Sequence, residues 1–108
     1  MSLSQNNINE LKESFDYLVK RNYEIQDDVK MALVSEEYLK AIKIISKFIK
    51  NVDEFTIITL NMAQKNSEKA DNEHATICNK IAQMVEHIKT AHLEVKENIL
   101  VKYKNKVS

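Results

Sequence analysis

Across its 108 residues the chain contains neither glycine nor proline. Average usage is about 7% Gly and about 5% Pro, so a chain with neither has no residue specialised for left-handed backbone, tight hairpins or close approach of backbone to a ligand. The expected class is all-α. The same absence removes the P-loop, the Rossmann glycine fingerprint, the G-x-S-x-G elbow, the kinase Gly-rich loop and the EF-hand loop, each of which needs glycine for its backbone path.

Apolar spacing then divides the chain. Ile8, Leu11, Phe15 and Leu18, followed after Asn22 by Ile25, Val29 and Ala32, alternate steps of three and four, the spacing of a heptad seam. Ser35 with Glu36 and Glu37 suits the start of a second helix, because a serine oxygen accepts from an orphan N–H and carboxylates favour a helix N-terminus. A competing break lies between Asn22 and Asp28, with Asp27 or Asp28 as the cap. The second stripe holds Ala41, Ile45, Phe48, Val52, Phe55, Thr59, Met62 and Ala63. Ile42, Ile44 and Ile49 widen it to an arc of roughly 150° at about 100° per residue, enough to touch two neighbours. A strand over this β-branched stretch would put Lys43 and Lys47 on the face of Ile45 and Ile49, whereas a helix separates them. The polar run 66–73 predicts the second turn. The third stripe follows as Ile77, Ile81, Met84, Val85, Ile88, Ala91, Val95, Ile99 and Tyr103, with a fraying tail over 104–108.

These elements predict one domain over residues 1–108, an elongated antiparallel bundle of three long helices, or four if the first breaks near Asn22. Helices of roughly 30 residues would be about 45 Å long, packed in the coiled-coil manner at crossing angles of about +20°. No internal repeat or low-complexity linker suggests a second domain.

Lys plus Arg and Asp plus Glu balance at 16 each. With no basic surplus and Arg21 as the only arginine, duplex nucleic acid is not an expected partner. Cys78 is alone, which suits a reducing cytoplasm. The first residues have neither a basic nor an apolar leader region. The most apolar window, residues 55–60, is far short of the ~20 residues of a membrane span.

Few residues group into recognisable chemistry. Asp71, His74 and Cys78, spaced three and four apart, share one helix face and could seat zinc or iron with a ligand from elsewhere. The plainer alternative makes Asp71 an N-cap, His74 half-buried and Cys78 a small core hydrophobe, and no metal or other cofactor is expected. Neither His87 nor His92 has a Glu three residues before it, as a carboxylate-bridged di-iron bundle would require. His92 lies on the apolar stripe, His87 at its edge. A phosphoacceptor His92 would have to be exposed, with no Glu94 beside it to repel the phosphoryl group, so a core histidine bonded to a neighbour is preferred. No nucleophile sits beside a recognisable base, and an enzyme is not expected.

Surface features suggest interaction instead. Lys40, Lys43, Lys47 and Lys50 form a basic stripe opposite the apolar arc, able to meet an acidic partner or anionic membrane, although an ordinary solvated face explains it as well. Glu24, Asp27, Asp28, Glu36 and Glu37 could face these lysines across a bundle or dimer. Asn22, at a core-type heptad position, either selects register as a buried polar residue or marks a hinge. Tyr17, Tyr23 and Tyr38 flank the stripes as core rim or interface anchors. Ile42, Ile44, Ile49, Leu93 and Leu100 lie off the central lines and would form an exposed patch on a monomer, from which a homodimer is expected. The expected function is a non-enzymatic module binding a protein partner through apolar helix faces, with His phosphotransfer or a small metal-binding helical protein as alternatives.

Overall fold

A computed structural model describes the backbone of residues 3–107 and the side chains of residues 8–107. The expectation about a leader and the last residue of the tail fall outside this range. The chain is 94% helical without a strand among the described residues. The helices are α1 (Leu3–Val34), α2 (Tyr38–Glu68) and α3 (Asn72–Val107). Three-residue connections force neighbours to run antiparallel, so α1 and α3 point the same way. The 36 residues of α3 span about 54 Å. The molecule measures 59 × 20 × 14 Å, and its radius of gyration of 17.1 Å exceeds the about 13 Å of a compact domain of about this size.

The first heptad stripe is buried as expected. Ile8, Leu11, Leu18, Ile25, Val29 and Ala32 join Ala41, Ile45, Phe48 and Val52 of α2 and Cys78, Ile81, Val85 and Ile99 of α3 in a shared core. Helix α1 runs through Asn22 without a break, which removes both the hinge and the four-helix alternative. Thr59, fully buried, satisfies its hydroxyl by donating to the Phe55 carbonyl at 2.8 Å.

Both turns are built alike, and both close without glycine. At the end of α1, Glu37 N–H donates to Ala32 O at 2.8 Å and Glu36 N–H to Leu33 O at 3.0 Å. At the end of α2, Asp71 N–H donates to Asn66 O at 2.8 Å and Ala70 N–H to Ser67 O at 3.0 Å. Each pair is a Schellman closure, whose penultimate residue must be left-handed. Without glycine, Glu36 (φ 58°) and Ala70 (φ 60°) take that position. Ser35 therefore belongs to the end of α1 and does not cap α2, whose N-cap is Glu37 with no side-chain cap bond. The second turn is also shorter than residues 66–73: α2 continues to Glu68, and Asn66 is buried in its last turn. Asp71 does cap α3, accepting from His74 N–H at 3.2 Å.

Two expectations about the ends and flanks need correction. The tail stays helical to Val107, because Lys106 reaches Glu36 at 2.9 Å and lies over the Tyr38 ring at 5.5 Å. Ile42, Ile44 and Ile49 are not an exposed patch but are half-buried against the core. The reason is topological: α2 lies between α1 and α3 and needs an apolar arc wide enough for both.

Candidate functional site

Where α1, α2 and α3 meet at mid-length, the core contains a polar layer. His92, 5% exposed, has Nε2 at 2.6 Å from Asn22 Oδ1. Its ring lies 4.8 Å from that of Phe48, tilted by 58°. An amide oxygen only accepts, so the Nε2–H of a neutral imidazole donates to it, leaving Nδ1 as an acceptor. Gln26 Nε2 also donates to Asn22 Oδ1, at 3.4 Å. Burial holds His92 below the ordinary histidine range by disfavouring its charged form. His92 is thus the bonded core histidine of the plainer expectation.

Above this layer the bundle is open on one side. Helix α3 packs chiefly on α2, and α1 meets α3 least, so the walls of α1 and α3 separate into a groove of about 530 Å³. Val29 and Leu33 of α1, Ile45 of α2, and Ile88, Ala91 and Val95 of α3 make its apolar surface. Asn22, Gln26 and His92 stand within it, and Lys30 and His87 on its two walls supply the remaining basic groups. No Asp or Glu is among the described residues lining it. From Asn22 to Leu33 the α1 wall is about 16 Å long.

The groove exposes part of what the apolar periodicity assigns to the interior. Met84, Ala91 and Val95 belong to the third stripe, yet all three are exposed, Val95 by 42%. With Ile88, half-buried, they recur at i, i+4, i+7 and i+11 along α3. This is the spacing that packs a helix against a neighbour; Ile88 does pack against the core, Ala91 and Val95 face the open groove, and Met84 lies outside its lining.

The other expected sites are dispersed. Asp71 Oδ2 lies 2.5 Å from His74 Nδ1, and the His74 bonds hold the Asp71 carboxyl below the usual carboxylate range. Cys78 is buried, and burial pushes its thiol up despite a hydrogen bond with Asn66. Among the described residues no group of three or more His, Cys, Asp and Glu is placed to hold a metal ion. Lys40, Lys43, Lys47 and Lys50 are all exposed. Lys40 reaches Glu37 of the preceding turn at 3.6 Å, while Lys47 lies with Asp28 and Arg21 along the crease between α1 and α2. Leu93 is exposed and Leu100 half-buried, outside the groove lining.

Sequence reasoning missed the interhelical pair of Lys89 and Asp53, 2.7 Å apart, and the role of Asn66. It also missed the groove itself, although Asn22 and His92, both at core-type heptad positions, are the signal of the polar layer that pairs them. No protein-family model, no curated protein and no solved structure matches the chain. No helix among the described residues is long and apolar enough to cross a membrane.

Proposed function

We propose that this protein is a non-enzymatic helical interaction module that binds a protein partner in the groove between α1 and α3. The observation that carries this reading is the groove wall of α3, where Ala91 and Val95 continue the core spacing of Ile88 yet stand exposed. Helix-in-groove recognition uses an apolar trough of this kind. A reducing cytoplasm is the proposed compartment, on the strength of the single cysteine.

In the native host, a photocrosslinking amino acid at Ala91 is expected to trap a protein that the same group at Thr76, exposed on α3 but outside the groove lining, does not. Adding Val95→Glu should abolish that crosslink. Crosslinks equal at both positions, or unchanged by Val95→Glu, would contradict the reading.

Self-association is a second reading with its own support. It does not come from Ile42, Ile44 and Ile49, which the bundle covers, but from Ile57, Ile58 and Leu60, exposed side chains on the latter part of α2. Sedimentation equilibrium tests it: a 12.6 kDa species at every concentration rules it out.

A further inference from the structure

We infer that the occupant of the α1/α3 groove is an amphipathic helix of another protein whose apolar stripe is bordered by carboxylates. This rests on the groove being the docking face and adds the partner's shape and charge.

Shape comes first. Ala91 and Val95 stand exposed on the α3 wall, so the trough is open along its length and covers one side of whatever lies in it. Small-molecule sites bury most of their ligand's surface, whereas a helix laid in a trough needs only one face covered. A wall of about 16 Å matches about three helical turns, long enough to receive apolar side chains at i, i+4, i+7 and i+11.

Charge decides the borders. The groove has Lys30 on the α1 wall and His87 on the α3 wall, with no lining carboxylate. Asn22 spends its oxygen on His92 and Gln26, so its remaining polar group is a donor NH2. The creases between α1 and α2 differ: Glu13, Glu54 and Arg21 line one, and Asp28, Glu37 and Lys40 another. Those mixed signs favour no one kind of partner, while Lys30, with no carboxylate in the lining to offset it, favours an acidic border and repels a basic one. A second copy offering the same groove would bring no lining carboxylate to Lys30, which argues against that pairing.

The test uses two hydrocarbon-stapled helical peptides of about fifteen residues with the same Leu stripe, flanked by Glu in one and by Lys in the other. Binding to the whole protein is measured by fluorescence anisotropy at low and physiological salt. The Glu-flanked peptide should bind more tightly by about fivefold or more, with the difference shrinking as salt rises. Lys30→Glu, at an exposed position, should erase or reverse the preference, and Val95→Glu should abolish binding of both peptides, each variant first shown to melt like the parent.

Equal binding of both peptides, lost in Val95→Glu, would overturn the acidic partner but leave the groove as the docking face. Binding unaffected by Val95→Glu would remove the groove from both. Binding of neither peptide would overturn the inference, with the crosslink at Ala91 then deciding whether the groove still docks a protein. Competition by added unlabelled protein, with dimers in sedimentation, would mean that a second copy occupies the groove and would also overturn it.

Discussion

Asn22 Oδ1 and His92 Nε2, 70 residues apart in sequence, lie 2.6 Å apart where α1 faces α3. Each occupies a heptad position that an aliphatic residue would ordinarily fill, so the two sites are legible together only as a pair. Their bond connects the two helices that otherwise touch least.

Removing one partner should therefore cost more than removing both. Asn22→Ala leaves the His92 N–H without its acceptor and should lower unfolding free energy by about 1–3 kcal/mol. The double change Asn22→Leu with His92→Leu should recover most of this, since a packed apolar pair can replace a buried polar one at little cost. Urea midpoints of the single and double variants provide the check, and strictly additive losses would contradict it.

Acid should destabilise the fold through the same histidine. Its pKa is lowered in the folded state, so the unfolded chain takes up a proton first. The stability contributed by the neutral ring is complete above the ordinary value of about 6.5 and is lost as pH falls through the lowered folded value. His92→Gln, which keeps a donor for Asn22, should flatten that part of the pH–stability curve. Asp71, also lowered, acts in a separate and more acidic window, where protonation removes the α3 cap. Superimposable curves for the parent and His92→Gln would refute the assignment.

The turns offer a gain in stability. Ala70 is held at φ 60°, a conformation that costs a side chain with a Cβ but not glycine, so Ala70→Gly should stabilise by about 0.5–1 kcal/mol. Ala70→Val should destabilise, because a β-branched residue fits this region worst. Glu36→Gly should gain less than Ala70→Gly, since it also removes the carboxylate 2.9 Å from Lys106. Thermal melts of the three variants rank them directly.

Cys78 should be silent until the protein opens. Its thiol is fully buried and its ionisation is suppressed by burial, so a thiol reagent should label it at a rate that follows unfolding. Cys78→Ala should cost about 1 kcal/mol through lost packing. Rapid labelling under native conditions would mean that this end of the bundle is far looser than its burial implies.

Where the local code is strong, the sequence is easy to read. Ile8 through Ala32 keep a strict alternation of threes and fours, and that alternation places their buried face correctly. Asp71 followed by His74 is a short-range capping arrangement, visible because it involves one turn of chain. The ends of α1 and α2 were harder. Schellman closure is normally signalled by glycine, and Glu36 and Ala70 give no such sign; their conformation follows from the need to reverse direction with nothing better available. Asn66 reads as turn material because polar residues crowd around it, yet the core beside Cys78 accepts it as the last buried residue of α2.

Sequence alone determines that this chain is helical, because that property comes from residue type and from spacing within one or two turns, but it leaves three and four helices open, and only the unbroken course of α1 through Asn22 decides between them. It also shows which side chains are apolar enough to be covered, including Ile42, Ile44, Ile49, Met84, Ala91 and Val95. Which of these the chain covers itself was decided only in three dimensions. Placing α2 in the middle lets α1 and α3 shield the three isoleucines, while separation of α1 from α3 leaves Ala91 and Val95 open to water. Heptad spacing records that a face wants a neighbour, but a single helix contains no information about how far away that neighbour will stand.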